Sequence, residues 1–277
     1  MAVIFKHPDL ADYLGSVGAG VRADAPIETI PSLAPQFEAG RLAQFRKLRF
    51  RIDHAFWTRP ELAGLGELSW TPGHDGVIAP PGIDPGLAQR VQIEAEGILA
   101  QASTLHAALF AHYRLGPRRI RLQLGARRGE GLALAVPPEG SAQHAPLFIN
   151  LDDQPRIVAF GPQLEGLLER FGPALPAALW AGGSAEAVMA ALNQAALAGA
   201  GSAWEADQPR HLIYFEPGDV WTIDGRQSSR QVVHGRRLLC IDAEVDPAGM
   251  RRPERHYLAM VEAFRTRLLA RPQSPAA

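Results

Sequence analysis

The chain has 277 residues, 47% of them apolar, and a formal net charge of −1. That is ample apolar material for one large core or two small ones, and a net charge this close to zero supplies no global field that would draw the protein onto nucleic acid or a membrane. The lone Cys240 excludes an internal disulfide, and no run approaches the roughly 18 apolar residues of a membrane span, so the expectation is a cytoplasmic chain in a reducing compartment.

Residues 1–35 are rich in Pro, Gly and Ala and read as a short helix plus an irregular arm. The clearest helix starts at Asp84-Pro85, with Asp as N-cap and Pro at the first helical position, and runs to about Tyr113. Leu87, Val91, Ile98, Leu105 and Leu109 give it one broad apolar face, suited to buttressing a sheet. Strands follow at Ile120–Leu124, Leu132–Val136, Leu147–Leu151 and Arg156–Phe160, with a turn at Asp152-Asp153-Gln154-Pro155. A helical insert over about 163–200 holds a helix at Gln163–Phe171 and another from about Ala185, capped by Ser184 and bounded by Gly182-Gly183 and Gly199–Gly201. Strands return at His211–Phe215, Val220–Ile223 and Arg237–Val245, separated by Glu-Pro-Gly-Asp and Asp-Gly-Arg-Gln turns. A terminal helix spans Pro253–Leu269, and Arg271–Ala277 form a frayed tail.

In His211–Phe215 and Leu238–Val245 the apolar residues run almost continuously, as in strands covered on both faces. A closed sheet is therefore expected. The whole reads as one compact unit in two parts: 1–116 as arm and buttressing helices, and 117–277 as the sheet portion with the helical insert and a C-terminal helix.

The segment Phe215-Glu-Pro-Gly-Asp-Val-Trp221, a polar turn, and then Ser-Ser-Arg-Gln-Val-Val-His-Gly235 resembles the C-terminal half of bacterial Kdo hydroxylases. So do Ala145–Gly161, with its Pro155-Arg156 pair, Leu109–Tyr113 and Phe37–Gly40, a spread over roughly residues 35 to 265. The resemblance implies an α+β fold built as a distorted double-stranded β-helix, a jelly-roll or cupin-like barrel flanked by helices. It also implies iron(II)/2-oxoglutarate chemistry on a lipopolysaccharide sugar acid.

Such oxygenases hold iron with a His-x-Asp pair and a distant His, because side chains at i and i+2 of a strand share a face and leave open positions on the metal. The register implied by the resemblance puts Ala133 and Ala135 at the pair and Arg230 at the distant His. Alanine has no lone pair, and a guanidinium stays protonated and repels a cation. The only literal His-x-Asp, His7-Pro-Asp9, lies near the N-terminus with a proline between its members, and His74-Asp75 sit in a Gly-flanked turn. No cofactor is therefore expected, with iron(II) and 2-oxoglutarate as the alternative.

In place of a metal, a set of anion-binding groups is one expectation. Arg121 and Gln123 alternate with Ile120, Leu122 and Leu124, so they share the face opposite the apolar row. If that face meets Arg230, forked hydrogen bonds could hold an anion there, with His234 and His144 as further contacts. The alternative is that these arginines are merely exposed. Two functions follow: a diverged oxygenase-like protein that binds a small anionic molecule or a partner protein, as a homo- or hetero-oligomer, or an active oxygenase of the same fold with an unorthodox site from His144, His234 and Asp152. Cys240, in an apolar strand with no basic partner in view, reads as an inert buried thiol.

Overall fold

The structure, a computed structural model, describes residues 37–40, 42–72, 82, 84–111, 113–125, 131–136, 143–197 and 211–270. The expectations for 1–35, for His7 and Asp9, for His74 and Asp75, for Gly199–Gly201 and for the 271–277 tail lie outside the described residues.

The strands are β1 (Ala43–Arg49), β2 (Glu67–Trp70), β3 (Leu115–Gln123), β4 (Gln143–His144), β5 (Leu147–Asn150), β6 (Arg156–Gln163), β7 (His211–Phe215), β8 (Asp219–Thr222), β9 (Ser228–His234) and β10 (Leu238–Val245). The α-helices are α1 (His54–Trp57), α2 (Pro60–Ala63), α3 (Pro85–Leu109), α4 (Leu164–Phe171), α5 (Ala177–Gly182), α6 (Ala185–Leu192) and α7 (Tyr257–Leu269). A seven-stranded sheet runs β1-β8-β5-β10-β3-β2, with β4 also on β10, and a three-stranded sheet runs β7-β6-β9. The strand pairs are antiparallel.

The turns differ from simple hairpins. Residues 151–155 carry the chain from β5 in the large sheet to β6 in the small one, 216–218 carry it back from β7 to β8, 223–227 out again to β9, and 235–237 return it to β10. Each short polar turn therefore changes sheet. In β10 the apolar run is covered on both faces, Cys240 toward the other sheet and Leu239 and Ile241 toward α3. The two-sided cover expected for β7 is corrected: Tyr214 is 53% exposed, and Leu212 and Ile213 are only half-buried. The two sheets share a core of Phe148, Trp221, Ile223 and Cys240 from one and Val158, Phe160 and Phe215 from the other. The expected closure is corrected here: among the described residues the sheets remain two, facing one another, with no strand pair joining them.

Helix α3 covers the outer face of the large sheet. Asp84 caps it, accepting from the N–H groups of Gly86 and Leu87, and Val91, Ile98, Leu105 and Leu109 are buried along one stripe against Ile120, Leu122, Ile149, Leu239 and Ile241. Inside this layer His106 is fully buried, its Nε2 2.7 Å from the Ala145 carbonyl oxygen. Burial depresses its pKa, so it is a neutral donor tying helix to sheet. Helices α4, α6 and α7 form a separate apolar cluster that takes in Leu132 and Leu134. Ser184 caps α6 through the Ala187 N–H, as its sequence position implied.

The Leu132–Val136 strand is corrected to a single bridge, between Ala133 and Arg230. Its physical reason is Asn193, whose side chain accepts from the Leu134 N–H and donates to the Leu134 carbonyl, both at 2.9 Å. A helix-borne amide thus replaces the second neighbouring strand. No helix among the described residues is long and apolar enough to cross a membrane.

Candidate anion-binding site

The register of the large sheet lines up Arg121, Cys240, Phe148 and Trp221 in one cross-strand row, with Glu67, Gln123 and Leu238 in the next row of the same face. On the small sheet Arg230 lies opposite Phe160, and Val232 opposite Val158. These rows line a partly open cavity of about 110 Å³ whose wall includes Arg121, Gln123, Arg156 and Arg230. The expected company of Arg121, Gln123 and Arg230 is therefore present in space. Arg156 and Glu67 complete it.

Each guanidinium is positioned by its own neighbours. Arg121 Nη2 donates to Asp242 Oδ2 at 3.0 Å, and the same oxygen accepts from His144 Nδ1 at 2.7 Å. Asp242 is 4% exposed, so a buried carboxylate holds both groups on one oxygen. Arg156 Nη2 donates to Gln123 Oε1 at 3.2 Å across the gap between the sheets. Arg230 lies with its guanidinium carbon 5.3 Å from the Phe148 ring centre, a cation–π distance, and packs over Gly225, where a Cβ would stand 3.1 Å from that carbon. Trp221 stacks on Phe215 with ring centres 3.9 Å apart and on Phe148 at 5.6 Å. The aromatic floor is thereby held by its own stacking.

Cys240 also lines the cavity. Burial pushes its thiol up to about 12 against the opposing pull of Arg121, so it is neutral at ordinary pH. The expected lack of a basic partner is corrected, since Arg121 Nη2 lies 3.6 Å from the sulfur.

His144 and His234 are placed apart. His144 sits in β4 behind Arg121, while His234 is exposed at the end of β9, paired with Ile157 of the small sheet. Neither lines the cavity. Asp152 is fully buried and accepts from Arg236 and Arg237, which makes it a brace for the sheet-switching turns rather than a member of a site with the two histidines. Arg156 and Glu67 were the residues that sequence reasoning missed. Arg156 had a signal, since it shares the alternating face of Val158 and Phe160. Glu67 precedes Leu68 and Trp70 in a strand too short to stand out by periodicity.

Ala133 and Ala135 lie beside Arg230: Ala133 and Arg230 are bridge partners, and Ala135 N–H donates to the Gly225 carbonyl at 2.8 Å. Two methyl groups and a guanidinium carry no donor atom for a metal. Among the described residues no group of three or more His, Cys, Asp or Glu side chains converges to hold one.

No protein-family model and no curated protein matches the chain. Among solved structures it is similar to the Kdo hydroxylase KdoO, a non-heme Fe(II) alphaketoglutarate-dependent dioxygenase, in complex with cobalt(II). That likeness has a TM-score of 0.71 and 17% identity, covering 92% of this chain and 96% of the other. The same enzyme with alphaketoglutarate and Fe(III) gives a TM-score of 0.67 at 17% identity, over 86% of this chain and 90% of the other. This corrects the expectation that no cofactor is involved, since the similar structures are of an enzyme that depends on Fe(II) and alphaketoglutarate and were obtained with such groups bound. The chain has the fold of that dioxygenase.

Proposed function

We propose that this is an oxygenase-like protein of double-stranded β-helix type in which the His-x-Asp…His ligand set has been lost, and that the cavity between its sheets binds a small anionic molecule. What carries the reading is the convergence of Arg121 from the large sheet with Arg156 and Arg230 from the small one on a single cavity. Guanidiniums aimed into a confined space suit a carboxylate or phosphate through charge-assisted, forked hydrogen bonds. Gln123 adds an amide that already bridges to Arg156. Arg230 stands where the resemblance puts the distant histidine.

The experiment is a thermal-shift screen of sugar acids, phosphates and dicarboxylates, 2-oxoglutarate among them, against the native protein and Arg230→Ala. An anion present at about 100 times its Kd stabilises the native protein by about 2.7 kcal/mol, and the Arg230→Ala form should respond much less. Equal responses, or none, overturn the reading.

A second reading is favoured by the fold likeness over 92% of the chain: an active oxygenase with a non-standard metal site. Succinate formation from 2-oxoglutarate in the presence of iron(II), above a no-enzyme control, would support it.

A further inference from the structure

We propose that the ligand of this cavity is a monocarboxylic acid with a compact apolar body; this rests on the anion-binding reading of the same site. Charge is the first observation. The wall brings together Arg121, Arg156 and Arg230 with the carboxylate of Glu67, and Asp242 lies on Arg121. The thiol beside them is neutral. On the adjoining turn burial pushes the Asp224 carboxyl up and the Arg226 guanidinium down, so that this pair adds no net charge in either protonation state. The balance is one unit positive. One carboxylate neutralises it, whereas a phosphate dianion or a dicarboxylate leaves an uncompensated negative charge in a confined space, which is costly.

The second observation is the rest of the wall. Phe148, Phe160, Trp221, Val158, Val232 and Leu238 present rings and branched chains to the same space. A sugar acid would leave its hydroxyls facing carbon there, without partners. The third is size. A cavity of about 110 Å³ is somewhat smaller than the roughly 150 Å³ apolar cavity that takes up benzene in an engineered protein. A branched chain of about four or five carbons fits this space.

Isothermal titration of the native protein with acetate, isovalerate, benzoate, succinate and inorganic phosphate tests this. Each methylene buried on going from acetate to isovalerate should strengthen binding roughly fourfold, with a more negative heat-capacity change, and succinate and phosphate should bind more weakly than isovalerate. Tightest binding by phosphate or succinate overturns the ligand class while leaving the anion reading intact. No binding by any of them overturns both. Val232→Ser, at a half-buried wall position, should narrow the isovalerate-to-acetate preference severalfold. An unchanged preference means that the wall does not contact the ligand and overturns the proposal.

Discussion

Arg230 and Ala133 exchange both of their backbone hydrogen bonds, Arg230 N–H to the Ala133 carbonyl at 2.9 Å and Ala133 N–H to the Arg230 carbonyl at 3.2 Å. A residue with no donor atom is thereby locked opposite a permanent cation, at the positions where the resemblance puts two iron ligands. The backbone pairing fixes where the Arg230 side chain starts. Its end point is set by Phe148 on one side and Gly225 on the other.

That end point is testable at Gly225. A Cβ there would lie 3.1 Å from the Arg230 guanidinium carbon and its Nη2, so Gly225→Ala should move the guanidinium by a few tenths of an ångström without disturbing the backbone. Anion affinity is expected to fall several-fold, with the melting temperature changed by no more than a few degrees. Titration and a thermal melt of the same variant check both halves.

Asp242 divides its charge between Arg121 and His144 through one oxygen. Asp242→Asn should release Arg121 toward the cavity, so anion affinity is expected to rise several-fold while stability drops by about 1–3 kcal/mol from the lost charge-assisted bonds. Binding that weakens in proportion to stability would show that Arg121 does not reach the ligand.

His256 caps α7, its Nδ1 accepting from the Leu258 N–H at 3.3 Å. Burial, aided by nearby Arg226, pulls its pKa down to about 4. The folded value lies below the unfolded one, near 6.5, so the unfolded chain binds the proton first. Its contribution is complete above about pH 6.5 and is lost as pH falls toward 4, up to about 3 kcal/mol in all. His256→Asn keeps a capping acceptor and should flatten the stability profile across that window, as urea melts at pH 7 and pH 4.5 would show.

Asp152 behaves in the opposite sense. Burial pushes its carboxyl up, but the hydrogen bonds from Arg236 outweigh that and hold it at about 2, with Arg237 on the same oxygen at 3.1 Å. A depressed carboxylate stabilises above its unfolded pKa near 3.9 and loses that contribution as pH falls toward 2. Asp152→Asn is expected to cost about 3–5 kcal/mol at neutral pH, because Arg237 is only 3% exposed and would be left uncompensated. Denaturant unfolding measures it directly.

How far the sequence is legible follows from where the determinants lie. Helix α3 can be read because its cap, its proline and its apolar stripe are all local, and Ser184 before α6 is legible for the same reason. The closing strands are recognisable from β-rich runs between polar turns, but not their assignment to two sheets, since each turn's choice of sheet depends on contacts from distant parts of the chain. The strand expected at Leu132–Val136 becomes a single bridge because Asn193, far along the chain, takes over its hydrogen bonds. Arg121 and Gln123 could be put on one face by alternation alone. Arg156 joins them only through the packing of one sheet on the other, and His144 and His234 part for the same reason.

The central claim is that Arg230 holds an anion in the cavity between the sheets. Calorimetric titration of the anion that most stabilises the native protein, against the native chain, Arg230→Lys and Arg230→Ala, addresses it most directly. Removal of a charge-assisted hydrogen bond worth about 1.5–3 kcal/mol predicts a loss of about tenfold to a hundredfold in Arg230→Ala, with Arg230→Lys intermediate because it keeps the charge but not the fork. Equal affinities in all three would contradict the account.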